Sequence, residues 1–182
     1  DVAEFHKQVT TAEQIPYVVD EAIRSAYATR SVSVVIIPDD LSGQDIEFDG
    51  FKTASLSGSQ QVLIPKLDDV QQTIAALKAA QHPVLWIGKG AYNARQEVIA
   101  VSEKFSLPVL STAPATGIMP TDHPNFMGSR GRLGTKPAFE VSQAADLVLF
   151  VGTNFPFARY LPQGIKFIQV NNNLADLGKQ HD

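Results

Sequence analysis

Four apolar runs in this sequence are each followed at once by small, hydroxyl-bearing or amide residues. These residues occupy positions 88–91, 111–117, 152–157 and 171–173. Glycine lets a backbone approach a phosphate closely, and a helix that begins nearby offers unpaired N–H groups to the same oxygens. The pattern therefore predicts a nucleotide-type ligand held by the loops that follow the apolar runs.

A further segment, Gly128-Ser129-Arg130-Gly131-Arg132, carries two arginines among small residues. A guanidinium beside serine and glycine suits a pyrophosphate, because its planar fork can form two parallel hydrogen bonds. Solvated surface charge is the alternative for both arginines, and it is the more frequent role of this residue type.

The other loop motifs also allow purely structural roles. Gly88-Lys89-Gly90 lacks the third glycine of the dinucleotide fingerprint, because Asn93 stands in its place. The two glycines are therefore equally compatible with a tight turn. Thr112 and Asn154 are typical of turns and caps as well as of ligand contacts.

The sequence contains none of the residue sets that make a self-contained catalytic centre. It has no cysteine, and its four histidines are far apart and in no metal-ligand spacing. A Gly-x-Ser-x-Gly elbow and a phosphate loop ending in Gly-Lys-Ser/Thr are both absent. We therefore expect this chain to contribute no catalytic residue and no metal ligand.

The elements that position these loops alternate regularly. Apolar runs predict strands at 84–87, 108–110, 147–151 and 166–170. Apolar positions at helical spacing predict helices before the first strand, between the first two, and at 137–145. A strand, a helix and a second strand joined in this way form a right-handed crossover. Residues 65–182 are therefore predicted to form an α/β, doubly wound parallel sheet with the ligand at the carboxyl ends of its strands.

Residues before this segment carry a different signal. Thr10 and Glu13 form a capping-box pattern ahead of an apolar helical stripe, and a strand follows at 32–37. One helix and one strand cannot form a sheet, so residues 1–41 are predicted to be the end of a preceding domain. Residues 42–64, rich in Ser, Gly and Gln, are predicted to be a linker. We expect the chain to be a piece of a longer protein.

The composition and charge of the chain bear on its cellular location and on the kinds of partner that it could bind. The 182 residues include 15 basic and 19 acidic ones, for a net charge of -4, so no electrostatic field favours nucleic acid or a membrane surface. No apolar run reaches the roughly 18 residues that a membrane span needs. The lack of cysteine fits a cytoplasmic location.

The order and spacing of the five loop motifs carry a resemblance to a known family. Ile87-Gly88-Lys89-Gly90-Ala91, the Ser111 to Gly117 segment, the Gly128 to Arg132 segment, the loop at 152–157 and Asn171-Asn172-Asn173 together resemble the central domain of thiamin-diphosphate-dependent enzymes. Within that superfamily the chain is most similar to the FAD-containing pyruvate oxidase family. The resemblance covers the whole chain and implies a Rossmann-like central domain. It also implies that residues 1–41 are the last helix and strand of the pyrimidine-binding domain.

The resemblance implies a function for the parent protein. Pyruvate oxidases are homotetramers that convert pyruvate, phosphate and oxygen to acetyl phosphate, carbon dioxide and hydrogen peroxide. In this family thiamin diphosphate and Mg2+ bind between the pyrimidine-binding and pyrophosphate-binding domains of two chains, outside the segment present here. The central domain positions FAD, which accepts electrons from the thiamin-bound intermediate. By this resemblance the chain alone is expected to be inactive.

The same resemblance assigns FAD contacts residue by residue, with Arg132 at the family's arginine position. The implied cofactor-binding residues are Gly88, Gly90, Ala91, Ser111, Thr112, Gly117, Gly128, Ser129, Arg132, Asn154, Phe155, Pro156, Asn171 and Asn173. The chain departs from the family at Asn171-Asn172-Asn173-Leu174, where the usual pattern is Asp-x-Asp-Pro. An amide can still bond a ribose hydroxyl, although a carboxylate is the stronger acceptor.

Two alternatives remain open from the sequence. The chain also resembles the central domain of an acetolactate synthase or a decarboxylase, where the domain holds FAD for structure or holds no flavin. The loop Thr153-Asn154-Phe155-Pro156-Phe157 favours the oxidase by resemblance. The third reading is a structural module that kept the fold without the cofactor, and the Asn residues at 171–173 favour it.

Overall fold

The computed structural model describes residues 2–50, 63–154, 160–161 and 164–179. It divides into two compact units, residues 1–62 and 63–182. Most of the predicted linker, together with Phe155 and Pro156, lies outside the described residues. Among the described helices, none combines the length and apolar character that a membrane crossing requires.

The first unit is a small parallel β-α-β arrangement. It contains β1 (Ala3–Gln8), α1 (Ile15–Thr29), β2 (Val32–Ile36) and the short α2 (Asp39–Ser42). β1 pairs in parallel with β2. The predicted helix and strand are present, and β1 precedes them as a strand that the sequence analysis did not identify. Its sequence Ala-Glu-Phe-His-Lys-Gln holds few apolar residues and stays largely exposed, so it has no strong strand pattern.

The start of α1 differs from the predicted capping box. A 3-10 turn at Ala12–Gln14 precedes the helix, and the Thr11 side chain at its cap position accepts no capping hydrogen bond. The Oε1 atom of Gln14 accepts hydrogen bonds from the Thr10 backbone N–H at 3.0 Å and from the Thr10 hydroxyl at 3.1 Å. Gln14 therefore takes the reciprocal role that the pattern had assigned to Glu13.

The second unit is a five-stranded sheet with helices between its strands. Its elements are α3 (Leu67–Ala79), β3 (Pro83–Ile87), α4 (Arg95–Lys104), β4 (Val109–Ser111), β5 (Phe126–Ser129), α5 (Lys136–Ala144), β6 (Leu147–Val151) and β7 (Lys166–Val170). The strand order is β5-β4-β3-β6-β7, and every pair is parallel. The predicted α/β parallel sheet is confirmed.

Both faces of this sheet are covered, which is why its central strands are continuous apolar runs. Leu85 and Ile87 of β3 pack on one face in a cluster that includes Val98 of α4. Trp86 of the same strand packs on the other face in a cluster that includes Ala138 of α5. Helices on opposite faces make the sheet doubly wound, as predicted.

β5 is the strand of the second unit that the sequence did not predict. It is four residues long and lies at the edge of the sheet, and it contains Gly128, whose φ is +96°. A short edge strand with an internal glycine carries little of the β-branched pattern that identifies central strands. Gly128 and Ser129 are thus the end of a strand, and the loop begins after them.

Candidate functional site at the carboxyl edge of the sheet

The topology gathers the ends of all five strands at one edge. From the central strand β3 the chain moves to β4 and β5 on one side, then crosses to β6 and β7 on the other. The strand ends are in register, with Ile87 opposite Ser111 and Val151, Ser111 opposite Ser129, and Val151 opposite Val170. The point where the strand order reverses lies between β3 and β6. In open α/β sheets this is where ligands bind.

Three glycines at this reversal point pack directly on one another. The N–H of Gly90 donates to the carbonyl of Gly152 at 2.8 Å, and the N–H of Gly88 donates to the carbonyl of Val151 at 2.8 Å. A Cβ on Gly88 would overlap the Gly152 carbonyl, and a Cβ on Gly152 would overlap the Ala91 nitrogen. Close packing of the two loops is therefore a sufficient reason for glycine at these positions.

The end of β4 lines the middle of the edge. Ser111 is buried, and its carbonyl accepts hydrogen bonds from the Arg130 N–H at 2.9 Å and the Ser129 hydroxyl at 3.3 Å. Thr112 is half-buried and donates its N–H to the Ile87 carbonyl at 2.9 Å. Further along the same connection, Gly117 has a φ of +89° and open space where a Cβ would point. Of these three residues, Gly117 is the exposed one.

The loop after β5 is closed at its base by Thr135, a residue that sequence reasoning missed. The Thr135 N–H donates to the Ser129 carbonyl at 2.9 Å, and its hydroxyl donates to the Met127 carbonyl at 2.6 Å. The hydroxyl also accepts from the Ala138 N–H at 3.4 Å and so caps α5. Threonine directly before Lys136-Pro137 was the available signal, because proline is frequent in the first helical turn.

The two arginines of this loop have different environments. Arg130 is 8% exposed, and its Nε donates to the Ser142 hydroxyl at 2.9 Å. Its guanidinium carbon lies 4.9 Å from the ring centre of Phe139 and 5.7 Å from that of Tyr160. Burial lowers the pKa of Arg130 from its ordinary value, and the nearby Tyr160 opposes that shift. Arg130 is therefore an internal anchor, contrary to the surface role that the sequence allowed.

Arg132 is exposed, and it makes no hydrogen bond or ion pair with any residue that the structure describes. Its guanidinium is available to an external anion. The residue that the resemblance selected is thus the accessible one of the pair.

The amide residues at the ends of β6 and β7 are organised locally. Asn154 is exposed. The side chain of Asn171 donates to the Thr153 carbonyl at 3.5 Å and accepts from the Asn173 N–H at 2.9 Å. The Asn173 side chain accepts from the Ala175 N–H at 3.1 Å and donates to Asp176 at 3.0 Å. These bonds fix both amides at the edge and leave part of their hydrogen-bonding capacity open.

The charge of the edge differs from that of the whole chain. Residues 88–94, 111–117, 129–135 and 152–154, which lie at or after the ends of β3, β4, β5 and β6, contain no Asp or Glu, while Lys89, Arg130 and Arg132 lie among them. After β7, the Asp176 carboxylate lies 3.0 Å from the Asn173 amide nitrogen and 3.7 Å from the Lys179 ammonium nitrogen. The chain as a whole carries a net charge of -4. An anionic group near the ends of β3 to β6 would therefore meet cations and neutral donors, whereas the end of β7 carries a carboxylate.

The structure brings most of the predicted site residues to this one edge. Those that lie in the last two residues of a strand or the four residues after it are Gly88, Gly90, Ala91, Ser111, Thr112, Gly128, Ser129, Asn154, Asn171 and Asn173. Gly117 and Arg132 lie further along their loops, and Phe155 and Pro156 lie outside the described residues. Five parallel strand ends gathered at one edge are typical of α/β domains that bind a ligand outside the sheet.

Comparison with known proteins identifies the family of this domain. The model of the central domain of thiamine pyrophosphate enzymes matches residues 70–182. The chain belongs to this family.

Curated relatives share the similarity over most or all of the chain. Pyruvate oxidase of Lactiplantibacillus plantarum is 40% identical over 187 residues, covering 100% of this chain and 31% of that protein. The protein YdaP of Bacillus subtilis is 34% identical over 183 residues, covering 100% of this chain and 31% of that protein. The acetolactate synthase large subunit of Corynebacterium glutamicum is 30% identical over 157 residues, covering 85% of this chain and 25% of that protein. The chain thus spans less than a third of the length of these relatives.

Proposed function

We propose that this chain is the FAD-holding central domain of a longer thiamin-diphosphate-dependent enzyme. Membership of the family of central domains supports a cofactor-enzyme context. The observation that carries the flavin assignment is the carboxyl edge, where cations and neutral donors stand without a carboxylate among residues 88–94, 111–117, 129–135 and 152–154. The pyrophosphate of FAD is an anion of the kind that such an edge accepts.

The residues at the edge fit FAD in their donor chemistry. Arg132 would hold the pyrophosphate through its exposed guanidinium. Ser129, three residues earlier, would join it by turning its hydroxyl away from the Ser111 carbonyl to which it donates in this structure. Thr112 would add a hydroxyl directly after the end of β4. Asn171 and Asn154 would bind the ribose and ribityl hydroxyls through their amides. When bound, FAD supplies two-electron redox chemistry, and these residues orient it.

We propose pyruvate oxidase as the activity of the parent protein. This rests on the 40% identity to a pyruvate oxidase over the full chain and on the order of the loop motifs. The chain would support the flavin, while thiamin diphosphate and Mg2+ would bind to the pyrimidine- and pyrophosphate-binding domains of a homotetramer.

An acetolactate synthase is the second candidate. The 30% identity to an acetolactate synthase large subunit over 85% of this chain favours it. A cofactor-free structural module would also account for the Asn residues at 171–173, because a carboxylate would bind a ribose more strongly.

The products formed from pyruvate by the full-length protein separate these candidates. With thiamin diphosphate, Mg2+ and FAD supplied, an oxidase consumes one oxygen for each pyruvate and requires phosphate to release acetyl phosphate and hydrogen peroxide. We expect phosphate-dependent oxygen uptake that vanishes when phosphate is omitted. Acetolactate formation without oxygen uptake would assign the second candidate and contradict the oxidase.

A further inference from the structure

Arg130 is a buried cation without a carboxylate partner among the described residues. It is 8% exposed, and its Nε donates to the uncharged hydroxyl of Ser142 at 2.9 Å. Phe139 and Tyr160 present their ring faces to its guanidinium. Burial of a guanidinium is unfavourable unless the surroundings compensate, and here two aromatic faces and one hydrogen bond do so. Its burial therefore indicates a structural role for the Arg130 side chain.

The contacts of Arg130 join three parts of the second unit. Its backbone N–H extends the pairing of β5 with β4 by donating to the Ser111 carbonyl. Its side chain reaches Phe139 and Ser142 on α5, and Tyr160 in the segment that follows β6. Arg130 therefore fixes the first residue of the loop 130–134 against the rest of the domain.

Thr135, the residue that follows the loop, is fixed independently. The Thr135 N–H and hydroxyl bond to the Ser129 and Met127 carbonyls, so the loop leaves and rejoins the end of β5 at two secured points. A single glycine, Gly131, separates the anchored Arg130 from the exposed Arg132. The position of Arg132 thus depends on an anchor two residues away.

We propose that Arg130 is a positioning residue that holds the loop 130–134 so that Arg132 faces an anionic group at the carboxyl edge. Under the proposed function, on which this inference rests, that group is the pyrophosphate of FAD. When a residue on a mobile loop binds a ligand, the loop loses conformational entropy, and this loss weakens binding. A loop that is already anchored loses less entropy on binding. Arg130 would therefore raise affinity without touching the ligand.

Lysine should not replace arginine in this role. A guanidinium is planar and can stack on both rings while its Nε donates to Ser142, whereas an ammonium is a compact and strongly hydrated charge. Both Arg130→Lys and Arg130→Met are therefore expected to release the loop.

Hydrogen exchange of the backbone amides tests the anchor without any cofactor. In the full-length protein, Arg130→Met should increase exchange by about 10-fold or more at the amides of residues 130 and 135, whose N–H groups donate to the Ser111 and Ser129 carbonyls at the two ends of the loop. Ser142→Ala removes the hydroxyl that accepts from the Arg130 side chain and should give a smaller increase at the same amides. Unchanged exchange at both amides in both variants would overturn the inference.

Ser102→Ala is the matched control for Ser142→Ala. Both serines are fully buried in helices, and the hydroxyl of each donates to the carbonyl three residues earlier, at 2.8 Å. Ser142 also accepts from Arg130, which Ser102 does not. Increased exchange at the amides of residues 130 and 135 in Ser102→Ala would show a nonspecific effect and count against the anchor.

A double-mutant cycle on FAD affinity tests the link to Arg132. Arg132→Ala should weaken FAD binding by about 10-fold, and Arg130→Met by about 3- to 10-fold. In the Arg132→Ala background, Arg130→Met should have no further effect on affinity, because Arg130 acts on the ligand only through Arg132. A domain that was merely destabilised would lose affinity in both backgrounds. Additive losses, or unchanged affinity in Arg130→Met, would overturn the positioning role. No FAD binding by the wild-type protein would instead contradict the proposed function, and the exchange data would then decide the anchor alone.

Discussion

At the residue scale, close packing explains the glycines in the loops after β3 and β6. The residues concerned are Gly88, Gly90 and Gly152. Their backbones touch where the loops after β3 and β6 meet, and all three N–H groups donate, that of Gly90 across the contact and the other two to an adjoining strand. From the sequence alone, two physical reasons could account for glycine at these positions: close approach of a ligand and tight packing. The structure supplies the second reason, because the partner glycine comes from a loop about 60 residues away that no local pattern reveals.

Replacing Gly152 with alanine should therefore damage the second unit. Gly152 has a φ of +65°, and an added Cβ would overlap the backbone of Gly90 and Ala91. Backbone strain and overpacking together predict a loss of at least about 3 kcal/mol in the free energy of unfolding. Fluorescence of Trp86, the single tryptophan, reports on this unit during chemical denaturation.

Gly117→Ala provides the matched control. Gly117 also has a positive φ, +89°, but no atom lies within 4 Å of an added Cβ. This variant should lose only about 1 kcal/mol, from backbone strain alone. Equal losses of unfolding free energy in the two variants would show that the contact with Gly90 and Ala91 is not the reason for glycine at position 152.

At the scale of elements, predictability followed the strength of each local pattern. β6 is a continuous apolar run and β7 is apolar at three of its five positions, and their predicted bounds match the structure. β1 is weakly apolar and β5 has only four residues, and both form because a neighbouring strand offers them hydrogen-bonding partners. Arg130 likewise could not be identified as an anchor, since Ser142 and Tyr160 meet it only in the folded chain.

Asp146 connects two elements and should make the second unit sensitive to acid. Its carboxylate accepts the N–H groups of Gln81 at 2.7 Å and His82 at 2.9 Å, which ties the start of β3 to the start of β6. These hydrogen bonds, the one from Gln81 first, lower the pKa of Asp146 from its ordinary value. A lowered folded-state pKa gives stability that is complete above the ordinary carboxyl pKa and is lost as pH falls through the lowered one.

Unfolding titrations followed across acidic pH test this contribution. Asp146→Asn should be less stable than the wild type at neutral pH and should lose less stability as pH falls, so that the two curves converge in acid. Asp122→Asn, at an exposed turn, is the control and should track the wild type. Parallel curves for Asp146→Asn and the wild type would contradict the role of this carboxylate.

At the scale of the whole molecule, the chain consists of two units that divide at residues 62 and 63. We predict that limited proteolysis of the native protein cuts first within residues 42–64. Residues 43–50 form no helix or strand and are largely exposed, and the segment is rich in Ser, Gly and Gln.

The connection between β4 and β5 is the internal control for this experiment. It is also long, but Ile118 and Met119 within it are each 1% exposed and anchor it to the core. It should resist cleavage under conditions that cut 42–64. First cleavage in the β4 to β5 connection would contradict the predicted boundary between the units.

The central claim is that the carboxyl edge of the second unit binds FAD, and titration of FAD fluorescence with the full-length protein tests it most directly. We predict saturable quenching by the wild type, affinity about 10-fold weaker in Arg132→Ala, and unchanged affinity in Lys104→Ala, which removes one charge at the far end of α4. Absence of saturable quenching by the wild type, or equal affinities in the wild type and Arg132→Ala, would contradict the account.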